Sequence, residues 1–196
     1  MDRFESDALS LFDRAGRRKY LAEGELVRFL RACRKLDAET RLFCLVLALT
    51  GCRVSEALAL TPQQLDAGLV AIIFRTLKRR KLVFRAVPVP AKLMRELVAL
   101  TWSMERAARI WSWSRPTAWR RIKLVMERAG IVGIQASPKG LRHSFGVNTF
   151  EQKVPLSLAR QWMGHSRLES TLVYQQMVGA EQRRYAQRLW HSYARL

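Results

Sequence analysis

The sequence predicts an α+β domain, mainly α, with one small antiparallel sheet. Three observations carry that expectation. Apolar residues recur at helical spacing along most of the chain. The period changes to β-branched and aromatic runs only between Leu69 and Val87. And 196 residues, 49% of them apolar, suffice for one substantial core but would be cramped as two. The expected organisation is a polar N-terminal arm over 1–20, or a frayed helix there, followed by a single domain over 21–196.

Taken in order, Leu26, Val27, Phe29, Leu30 and Cys33 mark a helix that begins at about Leu21 and ends near Lys35-Leu36-Asp37. Ala38 to Leu49 is apolar nearly all round, which predicts a helix in the middle of the core, broken by Thr50-Gly51-Cys52. Arg53 opens the next helix and Glu56 follows three residues on, close enough for a carboxylate to hold a guanidinium. By itself the pair also fits an ordinary solvated helix face. Thr61-Pro62 closes this helix. The runs Leu69–Phe74 and Leu82–Val87 then predict a hairpin around Leu77 to Lys81. Six of the eleven residues from Arg75 to Arg85 are basic (Arg75, Lys78, Arg79, Arg80, Lys81, Arg85), a cationic tip suited to phosphates.

Beyond Pro88-Val89-Pro90, a helix is expected from Ala91 to about Arg106 through Leu93, Leu97, Leu100 and Met104. A tryptophan-bearing loop (Ile110 to Pro116) leads to a helix over Thr117–Arg128 with Trp119, Ile122, Val125 and Met126 inward. Arg115, Arg120, Arg121 and Lys123 cluster at its start, where a helix laid in a major groove meets DNA. Pro138 opens a helix to about Phe150, and Pro155 opens another that ends at Gly164 as a C-cap. Leu168–Met177 and Ala180–Ala194 are the last expected helices.

Composition narrows the function. With 35 Lys+Arg against 16 Asp+Glu the net charge is +19, and the partner of such a surface is a polyanion, nucleic acid before an anionic membrane. The basic residues are spread from Arg3 to Arg195 and form no single membrane-binding helix. The longest apolar run, Leu42–Leu49, is too short to cross a bilayer, and Met1-Asp2-Arg3-Phe4-Glu5 lacks a signal peptide's apolar core. A soluble, intracellular chain is expected. Cys33, Cys44 and Cys52 have no CxxC spacing and are expected as reduced, buried thiols. His143, His165 and His191 show no ligand spacing, so no metal and no cofactor is expected. Chemistry must come from side chains: arginine, histidine and the candidate nucleophile Tyr174 make a phosphate-transfer set in the last third of the chain.

Three ordered strings resemble the tyrosine recombinases, the integrase family that shares its catalytic fold with type IB topoisomerases. Thr50-Gly51-Cys52-Arg53-Val54-Ser55-Glu56-Ala57-Leu58 is similar to the family's first-arginine box, and Leu141-Arg142-His143-Ser144-Phe145 to its second. Trp162-Met163-Gly164-His165 with Thr171-Leu172-Val173-Tyr174 resembles the third, at the family's interval between histidine and tyrosine. The resemblance covers about 21–178. It implies the tyrosine recombinase catalytic fold and assigns Arg53, Lys78, Lys139, Arg142, His165 and Tyr174 as catalytic, with Glu56 supporting Arg53. Arg75, Arg79, Arg80, Lys81, Arg115, Arg120, Arg121 and Lys123 are the expected DNA contacts.

Two departures stand out. No N-terminal DNA-clamping domain is expected ahead of the catalytic one, which makes the chain similar in size to the fimbrial phase-variation recombinases. And Lys139 stands where the family's HxxR box has histidine; an ammonium accepts no proton, so Lys139 is expected to stabilise charge instead, with Tyr174 deprotonated by the phosphate or by solvent. The resemblance implies site-specific recombination through a covalent 3′-phosphotyrosyl intermediate, with Lys78 as general acid and Lys81 as the alternative. It further implies double-stranded DNA as partner, a homo-tetramer on paired sites with the C-terminal helix docking on a neighbour through Leu189, Trp190 and Tyr193, an accessory protein in place of the clamp, and a cytoplasmic, nucleoid-associated location. A topoisomerase, and a DNA-binding regulator or recombination accessory factor on the same scaffold, are the competing functions.

Overall fold

The apolar segment after Asp37 organises the fold. In this computed structural model the described residues are 10–78, 81–166, 168–176, 186–188 and 190–191, with side chains described for all of them except 76–78, 81, 82, 175 and 176. Helix α1 (Glu23–Cys33) precedes helix α2 (Ala38–Thr50). Asp37 caps α2 by accepting the Thr40 N–H at 2.8 Å, and Gly51 ends it in the left-handed region at φ 61°. Leu42, Phe43, Cys44, Val46 and Leu47 are all buried, so α2 lies inside the core as its sequence predicts. Helix α3 (Val54–Leu58) follows, then a 3₁₀ turn over Pro62–Gln64.

The sheet has three antiparallel strands: β1 (Leu65–Asp66), β2 (Ala71–Lys78) and β3 (Lys81–Pro88), in that spatial order. The short β1 had no sequence signal of its own. Ile72 pairs with Val87 and Phe74 with Arg85. Alternation therefore sends Ile72, Phe74, Val87 and Arg85 to the inner face and leaves Phe84 outside, more than half exposed. Arg85 does not belong to the exposed cationic tip; it is buried. Arg79 and Arg80 lie outside the described residues, as do the side chains of Lys78 and Lys81.

Helix α4 (Ala91–Thr101) stops sooner than its apolar pattern suggests, and Met104 lies in the turn beyond it. Helix α5 (Arg115–Arg128) starts at the Ser114 cap. Its Ile122, Val125 and Met126 are buried, but Trp119 is 48% exposed, so the expected inward position of that ring is corrected. Trp111 does fill the core: its ring meets Phe43 edge-on at 5.1 Å, and its Nε1–H donates to the Glu39 carbonyl at 3.1 Å. Helix α6 (Pro138–Glu151) is capped by Ser137, which accepts the Gly140 N–H at 3.1 Å. Helix α7 (Leu156–Met163) ends at Gly164, φ 63°. Helix α8 (Glu169–Leu172) runs into a 3₁₀ turn over Val173–Gln176, which together carry the segment expected as one helix.

Residues 10–20, expected as an arm or a frayed helix, form a closed turn. Phe12 bridges Arg18, and the Lys19 N–H donates to the Leu11 carbonyl at 2.8 Å. Leu11 is fully buried in a second apolar cluster with Val147, Met163, Val173 and Tyr174. Burial of such a side chain is worth about 1.5–3 kcal/mol, enough to hold this strap against α6. Of the C-terminal segment, Leu189 and Tyr193 lie outside the described residues, and Trp190 is exposed. No helix among the described residues is long and apolar enough to cross a membrane.

Candidate active site

Two helix ends converge where α6 starts. Arg142 donates from Nη1 to the Gly51 carbonyl at 2.6 Å and from Nη2 to the Met163 carbonyl at 2.7 Å. Both acceptors sit at helix C-termini closed by left-handed glycines, so the guanidinium lies between two negative dipole ends. Burial, with the nearby Arg53 charge, pulls Arg142 down to about 10, and it remains a cation at neutral pH. These bonds use part of the fork and aim the rest into a cleft.

Arg53 precedes α3 and is 45% exposed at its side chain. Its Nη1 donates to Glu56 Oε1 at 3.2 Å and its backbone N–H to Oε2 at 2.8 Å. The pair is more than a solvated helix contact, because Glu56 is buried and shared. From β3, Arg85 meets the same carboxylate with Nη1 to Oε1 at 3.0 Å and Nη2 to Oε2 at 2.8 Å, and its Nε–H donates to the Trp162 carbonyl at 2.8 Å. One carboxylate thus ties the first-arginine turn to the sheet and to the end of α7.

His165 follows Gly164, with Nδ1 2.9 Å from Thr171 Oγ1. Burial, then the Arg142 and Arg53 charges, push it down to about 3, so the imidazole is neutral. With Nδ1 accepting from the Thr171 hydroxyl, the Nε2–H is a donor for an anion. The Tyr174 ring stacks near-parallel to His165, centroids 6.3 Å apart. Its hydroxyl lies 3.3 Å from His143 Nδ1. The ring rests on Gly146, where a Cβ would come within 2.2 Å of Tyr174 Cζ. Burial pushes the phenol up to about 12 against the opposing charges of Arg142 and Arg53, so it is protonated at neutral pH.

Arg53, Arg142, His143, His165 and Tyr174 line a cleft of about 520 Å³ with Arg115, Trp119, Ser137, Lys139 and Val173. Among the described residues, Arg53, Arg115, Lys139 and Arg142 bring positive charge to it, and no carboxylate lines it. An adjoining depression of about 820 Å³ shares Arg53 and Ser55 and adds Arg75 and Arg109. The arrangement suits a phosphodiester: two guanidiniums and an imidazole for its oxygens, one phenol beside them. Among the described residues no cluster of three or more His, Cys, Asp or Glu could hold a metal ion.

A match to the phage integrase family spans residues 19–179. The chain belongs to that family. It is 31% identical over 166 residues to the tyrosine recombinase XerA of Thermococcus onnurineus (strain NA1), covering 80% of this chain and 57% of that protein. The chain therefore spans little more than half the length of that relative. The solved structure of XerH site-specific recombinase bound to palindromic difH substrate, a post-cleavage complex, superimposes with a TM-score of 0.75 at 19% identity, covering 88% of this chain and 53% of that one. The catalytic domain of bacteriophage HP1 integrase gives 0.59 at 22% identity, covering 79% and 85%. At these identities the likeness is one of fold, and the expected mainly α architecture with its small antiparallel sheet is the integrase-family one.

Of the integrase-family positions assigned from sequence, Arg53, Lys139, Arg142, His165 and Tyr174 share the one cleft. Lys78 is the last residue of β2, paired in register with Lys81. Arg115 lines the cleft and Arg120 is exposed on the same helix. Lys123 Nζ stands 5.9 Å from the Trp119 ring centroid. Arg121 is engaged elsewhere: it stacks on Trp113 at 4.2 Å and donates to Thr40 Oγ1. Sequence reasoning missed Trp119 as a cleft residue and His143 as the neighbour of the Tyr174 hydroxyl. The signal for His143 was its place one helical turn after Lys139, on the same face.

Proposed function

We propose that the chain is the catalytic unit of a site-specific DNA recombinase that cuts and rejoins strands through a 3′-phosphotyrosyl intermediate. The observation that carries this is the convergence of Arg53, Arg142, His165 and Tyr174 on one carboxylate-free cleft. Arg53 and Arg142 offer paired donors to the nonbridging oxygens, where charge accumulates during in-line displacement, and the His165 Nε2–H adds a third. The Tyr174 oxygen attacks phosphorus and displaces the 5′ oxygen. Lys78, or Lys81 beside it, gives that oxygen a proton. The phosphotyrosyl ester conserves the bond energy, so religation by a 5′ hydroxyl requires no ATP. Lys139 stabilises charge at the cleft's rim.

Double-stranded DNA is the partner. Arg75, Arg79, Arg80, Lys81, Arg115, Arg120 and Lys123 are its proposed contacts, Arg121 being held by Trp113 and Thr40, and Arg109 joins them through the second depression. A homo-tetramer on paired sites, an accessory DNA-binding protein and a cytoplasmic, nucleoid-associated location belong to the same reading. A regulator without catalysis is the second reading, favoured by Lys139 alone.

A pool of nicked duplexes randomised around a central phosphodiester tests the proposal. The nick lets the short 5′ product diffuse away and traps the enzyme on DNA. A denaturation-resistant adduct, enriched for one sequence and lost in Tyr174→Phe, is expected. Loss of either cleft arginine should slow its formation by roughly a hundredfold or more. Sequence-selective binding without any adduct supports the regulator.

A further inference from the structure

The recombinase reading leaves one step to phosphate or solvent, with no side chain assigned to it. Tyr174 is protonated when it attacks, and the Lys139 ammonium offers no lone pair to receive that proton. Three residues on one face of α6 bear on the phenol or its cleft. Lys139, His143 and Gly146 follow each other at helical spacing, and Gly146 leaves the space that the Tyr174 ring fills. In that space the hydroxyl comes to 3.3 Å from His143 Nδ1, the two rings meeting edge to face at 6.1 Å.

We propose that His143 accepts the Tyr174 proton during strand cleavage, taking the part for which Lys139 is unsuited. The proton passes from the phenolic oxygen to Nδ1 as that oxygen bonds to phosphorus. The bond from phosphorus to the 5′ oxygen breaks, and that oxygen takes a proton from Lys78 or Lys81. In religation each proton returns, so the enzyme ends as it began.

Two further features of the site favour the assignment. His143 is buried, and its Nε2 has no hydrogen-bond partner. A buried orphan is costly in an ordinary core histidine and is characteristic of a functional one. With the proton on Nε2, the Nδ1 lone pair faces the hydroxyl. The second feature is charge. Burial, then Lys139 and Arg142 on its own helix and Lys19 on the strap, hold His143 down to about 4, so at neutral pH it keeps its lone pair but is a weak base until those charges are offset. From the other side Tyr174 and neutral His165 face it. A phosphodiester entering beside Lys139 and Arg142 offsets both charges and makes the imidazole more basic at the moment the proton must move.

This inference rests on the strand-transfer reading, and the test separates them. The probe is the duplex enriched above, in single turnover, with oxygen or sulfur as the bridging 5′ atom. Sulfur leaves without protonation, so it relieves a missing general acid but not a missing base. His143→Asn keeps an oxygen able to accept the phenol's hydrogen bond yet unable to carry its proton. Its cleavage is expected to be slower by roughly a hundred- to ten-thousandfold with both duplexes, at unchanged duplex affinity, and Lys139→His in the same chain should restore part of the rate. Cleavage within a few-fold of wild type, or a defect that sulfur relieves, overturns the assignment. A measurement on the unsubstituted protein guards against misfolding of the variant. With the sulfur duplex its rate should fall on the acid side through one protonation, and since protonated His165 still donates, that limb reports His143. A flat acid limb overturns the assignment. Failure of the unsubstituted protein to form any adduct overturns the recombinase reading itself.

Discussion

Gly146→Ala probes the seat of the nucleophile. The added Cβ would lie 2.2, 2.4 and 2.6 Å from Tyr174 Cζ, Cε2 and Cε1, all atoms of one rigid ring. Carbon atoms rest at roughly 3.5–4.0 Å, so the ring or the helix must give by about 1.3 Å or more. Helix α6 is fixed at its start by the Ser137 cap and by Arg142's two carbonyl bonds, which leaves the ring to move. A displacement of about 1 Å at a reacting atom costs on the order of a hundredfold in rate. Overpacking of this kind costs about 1–3 kcal/mol in stability. Single-turnover adduct formation on a nicked duplex should therefore fall about a hundredfold while duplex affinity holds. An unchanged or faster rate would show that the phenol reacts from some other position and that its rest on Gly146 is not the productive one.

Glu56→Ala strips the carboxylate from buried Arg85 and should destabilise the fold by about 3–5 kcal/mol, read as a lower melting midpoint, with Glu56→Gln milder. An unaltered midpoint would mean the shared carboxylate holds little. His143 and His165 titrate lower in the folded chain than in the unfolded one, so the unfolded state binds more protons below the ordinary histidine range. Stability is thus fully present above about pH 6.5 and declines as pH falls towards 4, by up to about 1.4 kcal/mol per pH unit for each ring. Denaturant midpoints at pH 7, 6 and 5 should fall in that order, and the trend should flatten in a His143→Asn/His165→Asn double variant. Duplex affinity should drop by about 0.9 log unit per log unit of salt for each phosphate neutralised, and a titration insensitive to salt would contradict the charge argument.

The residues that meet at the cleft were legible because they lie in short strings whose spacing fixes their faces: Arg53, with Glu56 behind it, Arg142, and His165 with Tyr174. The core helix α2 was legible for a simpler reason, an apolar run with an aspartate cap and a glycine stop. What escaped were side chains whose direction depends on tertiary partners. Trp119 reads as core by composition, yet it rims the cleft because Ala118 and Ile122 take the inward positions of α5. Arg85 reads as one charge among six, though counting alternate residues back from buried Val87 would have turned it inward. Leu11 gave no periodic signal, since a strap buries single residues and repeats nothing. The pairing of β1 with Leu65 opposite Ile72 was likewise invisible, because two residues carry no pattern.

Glu56 is the hub of a linkage with wider reach than its own ion pairs. The hairpin strand and the Trp162 carbonyl of α7 reach it through Arg85, and the turn before α3 reaches it through Arg53. In the proposed recombinase, a duplex held at the hairpin would be felt at Arg53 through the carboxylate that Arg53 and Arg85 share. A lesion at Arg85, far along the chain from each signature string, would then loosen the aim of Arg53 from a distance.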